Sequence, residues 1–318
     1  LWWRGWGRRR GGSGVGGSGV ALPLGNVRSA RALCPGSAGE VIQGIIEGRE
    51  ALVSLTIDRV SEMEVFLGGE GEGTERLWKS KKALELALKH FGGEHLRGRV
   101  AFRRRRSLPE GKGFASSTAD IAALLGALAK LLGRTIRGEE IAQIALSIEP
   151  TDGTFFQNWC LFDHLHGETF FSLPAPRFLG VVVVEPPEEV ETLSVDRERL
   201  RRHFERFARE TEDAFRLLER GLEEGDLTLV GKAATLSSAL MEEHRKSKIF
   251  PFLAQAVQEI GALGVSRAHT GSAFGVLFDL RRVHLREALR RVAEVLTGEE
   301  VVLWTAQAIG GGVRVVEE

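Results

Sequence analysis

A glycine-rich turn that leads directly into an apolar helix is the feature that most constrains this chain. The segment reads LPEGKGFASSTAD over residues 108–120, and an apolar stretch follows it. Gly111 and Gly113 can adopt positive φ and let a bulky anion approach the backbone. Ser116 or Ser117 begins the helix, where unpaired N–H groups and the positive end of the helix dipole lie. The pattern predicts a phosphate-binding turn, although an ordinary capped helix after a turn accounts for the same residues.

The composition argues against several classes of partner. Lysine and arginine total 43, and aspartate and glutamate also total 43, so no net charge attracts the chain to nucleic acid or to an anionic membrane. Two cysteines, Cys34 and Cys160, cannot build a disulfide framework, and no apolar run reaches the ~20 residues that cross a bilayer. We therefore expect a cytoplasmic protein with small-molecule partners, no nucleic acid and no membrane, and we leave a homodimer open.

The first thirty residues differ from the rest of the chain. They carry Trp2, Trp3, Trp6 and several arginines among Gly-Ser repeats, without the apolar segment of a secretory signal. Such an arm could bind RNA by stacking and charge. A disordered or spurious N-terminal extension over residues 1–30 is the interpretation that we favour.

Hydrophobic periodicity predicts a mixture of strands and helices. In the first half we expect strands at 40–46, 51–57, 61–67 and 100–102, and helices at 81–91, 115–132 and 139–147. In the second half, from about Ala175, we expect strands at 179–184, 268–278, 301–304 and 313–316, and helices at 196–224, 228–244, 252–263 and 283–296. Helices intermixed with early hairpins indicate an α+β fold rather than a doubly wound sheet.

Two further segments could carry chemistry. Glu149 and Asp152 flank Pro150, which keeps the backbone off a helical path, so the two carboxylates lie on a turn. They could hold Mg²⁺ and accept a hydroxyl proton, or they could belong to a solvated turn. The small residues of AHTGSAFG, 268–275, could let the backbone approach a ligand, or they could form a bulged strand. With the glycine-rich turn they suggest one site between two halves of the chain.

His164 and His166, with Asp163 and Glu168 nearby, also invite a metal interpretation. The H-x-H spacing suits a strand better than a helix, and no third ligand is evident from the sequence. We therefore favour a structural role for these histidines.

Three motifs occur together: CPGSAGEVIQG at 34–44, GKGFASSTADI at 111–121 and EPTD at 149–152. With these motifs in this order the chain resembles the GHMP small-molecule kinases, and within them most closely the L-threonine kinases of cobalamin biosynthesis. The resemblance runs from about Arg31 to the C-terminus. It implies an α+β GHMP kinase two-domain fold, with an ATP-binding domain like the second domain of ribosomal protein S5 at 31–175 and a ferredoxin-like domain at 176–318.

The resemblance further implies an activity. The γ-phosphoryl group of ATP, with Mg²⁺ present, would be transferred to the side-chain hydroxyl of L-threonine, giving O-phospho-L-threonine for the aminopropanol linker of cobalamin. Other GHMP acceptors, such as homoserine or an isoprenoid alcohol, remain alternatives because a small change in a pocket alters acceptor choice. A non-catalytic sensor of a nucleotide or an amino acid is the alternative from another class.

Residues that match the family's motifs have roles implied by the resemblance. Asp152 would orient or deprotonate the hydroxyl, Lys112 would neutralise phosphate charge, and Ser117 would touch Mg²⁺ or a phosphate oxygen, with Glu149 as a second candidate metal ligand. The nucleotide phosphates would be held by Pro109, Glu110, Gly111, Lys112, Gly113, Phe114, Ala115, Ser116 and Ser117. The acceptor pocket would be formed by Gly36, Ser37, Gly39, Glu40, Gln43, His269, Gly271 and Ser272. Ala115 stands where the family has a glycine, so we expect a tighter turn.

Overall fold

A computed structural model describes residues 28–68, 71, 77–189 and 196–317. Most of the predicted N-terminal extension at 1–30 and of the glycine-rich stretch 68–73 therefore lies outside the described residues. Within the described ranges the chain combines helices with an antiparallel sheet, and the predicted α+β class is confirmed. No helix in these ranges is long and apolar enough to cross a lipid bilayer.

Ten strands in the described ranges share one sheet, and all their pairings are antiparallel. The strands are β1 Ser29–Ile46, β2 Arg49–Leu67, β3 Val100–Arg106, β4 Trp159–Phe162, β5 Thr169–Leu173, β6 Leu179–Glu185, β7 Gly264–Arg267, β8 Phe274–Asp279, β9 Val302–Gln307 and β10 Arg314–Val316. Along the sheet the order is β5-β4-β2-β1-β7-β8-β6-β9, with β3 also paired to β2 and β10 to β1.

The long β1–β2 hairpin forms the centre of this sheet. Its turn consists of Glu47 and Gly48, whose φ values of 50° and 75° are those of a two-residue turn that matches strand twist. The predicted hairpin at this point is confirmed. Strand β10 comes from the C-terminal end and pairs with β1, so the chain returns to its first hairpin. The division into domains at residue 175 stays a prediction.

The helices cover the sheet and pack on one another. They are α1 Trp78–His90, α2 Ser116–Leu131, α3 Gly138–Leu146, α4 Arg197–Arg206, α5 Ala208–Glu224, α6 Leu227–His244, α7 Phe250–Ala256 and α8 Leu285–Val295. Helix α2 packs on β1, β2 and α1, whereas α5 and α6 pack on each other and on β1. Helix α8 packs on β6 and β9.

Strand β6 is apolar from Leu179 to Val184, and both its faces are buried there. Val181 and Val183 belong to the main core with α2 and the β1–β2 hairpin, whereas Val182 and Val184 belong to a second core with α7 and α8. Successive side chains of a strand point to opposite faces, so this alternation is what a doubly covered strand requires. A continuous apolar run, rather than alternation with polar residues, is its sequence signature.

Several predicted elements differ from the observed ones. The predicted strand 61–67 is the second half of the continuous β2. The predicted strand 268–278 is a loop at 268–273 followed by β8, and β7, which ends directly before it, was not predicted. The predicted helix 196–224 breaks at Phe207, where no glycine or proline announces the break, and the predicted helix 252–263 ends at Ala256. Strands β4 and β5 were not predicted, because each is too short to establish a period.

Helix α2 is almost completely buried, so its packing dominates the core around the glycine-rich turn. Thirteen of its residues are buried, and Gly126 lets Val313 approach to a point 2.3 Å from where a Cβ would stand. A helix that is apolar all round is expected only where it is enclosed by other elements. The start of α2 is therefore fixed relative to β1 and β2.

Replacing Leu128 of α2 by alanine should lower the free energy of unfolding by about 2–5 kcal/mol, because Leu128 is fully buried. Lys130 is exposed on the same helix, and Lys130→Ala should change stability by less than about 0.5 kcal/mol. Chemical denaturation measures both. Equal losses in the two variants would contradict the observed burial of α2.

Candidate active site

The glycine-rich turn adopts left-handed conformations at alternate residues. Gly111 and Gly113 have φ of 71° and 88°, and Ala115 has φ of 54° immediately before α2 begins at Ser116. A residue with a Cβ is strained there by roughly 1–3 kcal/mol, whereas glycine is not. Ala115 is therefore strained in this structure. Its conformation places the turn at the N-terminus of α2, where N–H groups and the helix dipole favour an anion.

Backbone hydrogen bonds hold this turn between two other segments. The N–H of Ser37 in β1 donates to the carbonyl of Phe114 over 3.1 Å, and the N–H of Ala273 donates to the carbonyl of Lys112 over 3.0 Å. A Cβ on Gly271 would lie 2.1 Å from the Lys112 carbonyl oxygen, so only glycine fits there. The downstream small-residue segment therefore braces the turn.

Lys112 contacts a neighbouring segment and does not line the cavity that lies at the N-terminus of α2. Its ammonium donates to the carbonyls of Pro186, Pro187 and Glu188 at 2.7–3.1 Å, and the Ser272 hydroxyl also donates to Glu188. The Lys112 side chain thereby holds residues 186–188 against the glycine-rich turn. The predicted roles of Lys112 in charge neutralisation and of Ser272 in the acceptor pocket gain no support from this geometry and stay predictions.

Ser117, Glu149 and Lys79 form a row of contacts beside the start of α2. The Ser117 hydroxyl donates to Oε1 of Glu149, and Nζ of Lys79 in α1 lies 2.6 Å from Oε2 of the same buried carboxylate. The sequence predicts Ser117 and Glu149 as a metal pair, and the structure brings the two together. Hydroxyl and carboxylate oxygens are the hard donors that Mg²⁺ prefers, so this donor set fits that ion.

Asp152 lies on the turn after α3 and is anchored to α2. Its N–H donates to the Thr118 hydroxyl over 3.2 Å. Burial raises the pKa of Asp152 to about 6, and Glu149 adds to the rise, whereas the positive charges of His164 and Arg197 oppose it. A carboxylate with this pKa is ionised at neutral pH, yet it accepts a proton more readily than an exposed aspartate does.

The glycine-rich turn, Ser117, Glu149 and Asp152 line one cavity at the N-terminus of α2. The wall is formed by Glu40, Gly111, residues 113–118, residues 149–152, His164, Arg197, His269 and Thr270. The predicted assembly of one site from the glycine-rich turn, the EPTD turn and the downstream segment therefore agrees with the geometry.

Several polar atoms in this wall are buried without a hydrogen-bond partner among the described residues. They are Oε2 of Glu40, both ring nitrogens of His164, Nη1 of Arg197 and Nε2 of His269. Burial, and then the negative charge of Asp152, raises the pKa of Glu40 well above its usual value. Burial, and then His164, lowers the pKa of His269 well below its usual value. Buried polar groups are normally paired, so such atoms in a cavity mark positions for the polar atoms of a ligand.

The acceptor residues predicted in β1 occupy two kinds of position. Gly36 and Gly39 serve close backbone packing: a Cβ would lie 2.6 Å from the Phe114 carbonyl oxygen at Gly36, and 2.5 Å from the backbone of β7 at Gly39. Ser37 is buried beside them. Strand β1 shifts register on both sides of this stretch, and the bulge places Glu40 in the cavity wall.

Gln43 acts on the site through a neighbour. Its Oε1 lies 2.9 Å from Nδ1 of His269, and its Nε2 donates to the carbonyl of Arg267 over 3.1 Å. Because Nδ1 of His269 is in this hydrogen bond, Nε2 is the ring nitrogen that is left without a partner among the described residues. In this geometry Gln43 orients the ring of His269. The substrate role predicted for Gln43 stays a prediction.

Pro109 and Glu110 lie outside this cavity. Pro109 lines a second cavity of about 1100 Å³ with Leu108 and Trp304. Glu110 pairs with Arg104 at 2.7 Å. A contact of Pro109 and Glu110 with the nucleotide, as predicted, would therefore have to form outside this cavity, on the other side of the glycine-rich turn.

Lys79, Arg197 and Arg245 were missed by sequence reasoning. Each is an isolated basic residue outside any motif, and only folding brings it to the site. Arg245 donates to the carbonyls of Thr270 and Gly271 and so holds in place the β7–β8 loop, which braces the glycine-rich turn. His164 was weighed only as a partner of His166, whereas it lines the cavity and lies against the ring of His269 at 4.8 Å between centroids.

Comparisons with known proteins agree with this geometry. Residues 79–156, which run from Lys79 through the glycine-rich turn and Asp152, match the family model described as the GHMP kinases N terminal domain. The L-threonine kinase of Citrobacter freundii is 34% identical over 256 residues, which is 80% of this chain and 88% of that protein. The L-threonine kinase of Salmonella typhimurium is 34% identical over 268 residues, or 83% and 88% of the two chains.

Among solved structures, the homoserine kinase of Cytophaga hutchinsonii superposes with a TM-score of 0.67 at 16% identity, covering 92% of this chain and 98% of that one. At this identity the likeness concerns the fold. Fold, motifs and sequence relatives together define the class, and the chain belongs to the GHMP kinases. It is an ATP-dependent small-molecule kinase.

Gly271→Ala should displace the bracing loop, because the new methyl group would meet the carbonyl of Lys112 and backbone cannot move aside cheaply. We expect nucleotide affinity to fall by about tenfold or more, equivalent to about 1.4 kcal/mol. A Cβ on Gly298 would meet no atom within 4 Å. Its φ of 91° strains an alanine locally, but Gly298 does not line the cavity at the N-terminus of α2, so Gly298→Ala should leave nucleotide binding unchanged. Calorimetry with a non-hydrolysable ATP analogue measures both variants. Unchanged affinity in Gly271→Ala would show that the brace does not shape the nucleotide site.

Proposed function

We propose that this protein transfers the γ-phosphoryl group of ATP to the side-chain hydroxyl of L-threonine, producing O-phospho-L-threonine. The observation that carries the proposal is the pair formed by Asp152, with its pKa near 6, and the anion-binding start of α2 in one cavity. Identity of 34% to two L-threonine kinases supports threonine as the acceptor. A cytoplasmic setting and a role in making the aminopropanol linker of cobalamin complete the proposal.

In this proposal the nucleotide lies across the glycine-rich turn. The phosphates are held by the N–H groups of residues 111–117, with the γ-phosphate on the side of Asp152. The adenosine part then extends to the second cavity, where Pro109 and the half-buried ring of Trp304 provide apolar surface. The ring of Trp304 lies 5.4 Å from that of Phe114 in the turn, so the second cavity adjoins the phosphate site.

The chemical step needs positioning and charge more than covalent assistance. The threonine hydroxyl oxygen attacks the γ-phosphorus, a new O–P bond forms, and the bond to the β,γ-bridging oxygen breaks as ADP leaves. The hydroxyl proton passes to the carboxylate of Asp152. Because Asp152 is already desolvated in the cavity, its affinity for this proton is higher than that of an exposed aspartate.

Ser117 and Glu149 are the residues that would hold Mg²⁺. The ion would supply positive charge to the phosphate oxygens. Lys79 neutralises Glu149 from the opposite side, so the carboxylate is held in place without an excess of negative charge near the phosphates.

Release of ADP with ATP and Mg²⁺ tests the acceptor. L-threonine should give the highest kcat/KM in a panel that also contains L-serine, L-homoserine and mevalonate. Turnover of homoserine but not of threonine would show that the acceptor is wrong while the kinase activity stands. No turnover with any of these acceptors would contradict the whole proposal.

Asp152→Asn should lower kcat by roughly 10²-fold or more, because asparagine cannot accept the hydroxyl proton. In the unmodified protein kcat/KM for threonine should be constant above about pH 6 and fall below it, since protonated Asp152 is inactive. The groups that face Asp152 are Glu40, Glu149, His164 and Arg197. Initial rates measured across pH check both effects.

Asp163 is a buried aspartate that lies outside the cavity, and it supplies a control. Asp163→Asn should keep the acid limb near pH 6, even if stability changes. A loss of only a few-fold in Asp152→Asn, with the acid limb retained, would reduce Asp152 to a positioning residue.

A further inference from the structure

We propose that the cavity beside Asp152 recognises an α-amino acid as a zwitterion, with Arg197 binding the α-carboxylate and Glu40 binding the α-ammonium. This inference deepens the proposed function and rests on it, because the hydroxyl that faces Asp152 belongs to the same ligand. None of the three motifs contains Arg197, and the resemblance assigns Glu40 only to the general shape of the acceptor pocket.

Arg197 presents an unpaired donor to the cavity. It is the first residue of α4, its guanidinium lines the cavity, and its Nη1 atom is buried without a partner among the described residues. The carboxylates of Glu50, Asp152 and Glu149 act on it electrostatically, but no ion pair with them forms within 4.0 Å. A planar guanidinium with free N–H groups matches the two oxygens of a carboxylate.

Glu40 presents a carboxyl group to the same space. The residue is 2% exposed, it lines the cavity from the bulge of β1, and its Oε2 atom has no hydrogen-bond partner among the described residues. The carboxylate of Asp152 repels its ionised form. A cation bound between Glu40 and Asp152 would relieve that repulsion and supply donors to the open oxygen, and a primary ammonium has three N–H groups to do so.

Asp152 is the common neighbour of both residues. The charge of Arg197 acts on Asp152, and the charge of Asp152 acts on Glu40. In a β-hydroxy-α-amino acid the hydroxyl carbon is bonded to the carbon that carries both charged groups. A ligand that directs its hydroxyl to Asp152 therefore brings its ammonium and its carboxylate within reach of the two flanking residues. Three such contacts also fix the chirality of the ligand.

A metal ion is the competing occupant of this end of the cavity. Ligand atoms of Glu50, His164 and His269 lie within 4.8 Å of one another, and the hydrogen bond that Nδ1 of His269 donates to Oε1 of Gln43 would orient His269 as a ligand. The guanidinium of Arg197 acts on His269 as well, and a positive group disfavours a divalent cation at short range. A zwitterion satisfies charges of both signs, so the observations favour it.

The test compares ligands that each lack one charge. Calorimetry is run on the full chain in EDTA with L-threonine, with L-threoninamide, which lacks the carboxylate, and with 3-hydroxybutyrate, which lacks the ammonium. Removing one partner of a buried charge pair costs at least ~30-fold in affinity, so we expect threonine to bind that much more tightly than either analogue. D-threonine should bind as weakly as the analogues.

Two substitutions assign the contacts. Arg197→Met should remove the preference for threonine over threoninamide and leave the preference over 3-hydroxybutyrate, whereas Glu40→Gln should do the reverse. Arg197→Lys keeps the charge and should retain part of the first preference. Arg202 is exposed on the same helix and pairs with Glu198, so Arg202→Met is the matched control and should retain both preferences.

The outcomes separate this inference from the proposed activity. If the unmodified protein phosphorylates threonine but Arg197→Met keeps its preference over threoninamide, the zwitterion inference is wrong and the activity stands. If both preferences follow the two substitutions but no ADP is released with threonine, the inference stands and the activity fails. Threonine binding that disappears in EDTA and returns with Zn²⁺ would assign the cavity to a metal. Absence of threonine binding under both conditions would overturn the inference.

Discussion

The docking of one backbone segment against two others is the constraint on which the site depends. The glycine-rich turn cannot hold its conformation alone, because Ala115 is strained and the two glycines that precede it, Gly111 and Gly113, are free to rotate. Hydrogen bonds from Ser37 and Ala273 to the carbonyls of the turn remove that freedom. The N–H groups at the start of α2 are thereby fixed before any ligand arrives, and preorganised donors are the effective ones for a developing charge.

The balance of charge in the cavity follows from the same docking. Glu40, Glu149 and Asp152 come from three different parts of the chain and are drawn into one poorly solvated space. Such crowding raises the pKa of a carboxylate, as it does for Glu40 and Asp152. Glu149 is paired with the ammonium of Lys79. Desolvation therefore prepares one carboxylate to accept a proton, while a salt bridge keeps another available for a cation.

The sequence predicted the elements with strong local signals and missed those that depend on tertiary contacts. The β1–β2 hairpin, α2 and the three segments of the cavity could be predicted, because turn glycines, a long apolar run and motif order are local properties. The break at Phe207 carries no such signal, and β4 and β5 are short strands whose pairing stabilises them. Arg197 could not be predicted as a site residue, since nothing in its neighbourhood distinguishes it from the exposed arginines of the same helix.

The small residues of the motifs and the charged residues outside them have different tasks. A Cβ on Gly39 would lie 2.5 Å from the backbone of Arg267, and a Cβ on Gly113 would lie 2.4 Å from the Cβ of Ala268. Segments far apart in sequence therefore meet at one point, and their glycines permit that approach. Charged groups such as Arg197 lie at the edge of this framework, on a helix that can change its side chains without disturbing the turn. A framework of this kind can keep its phosphate site while the side chain at position 197 varies, because that position lies outside the three motifs.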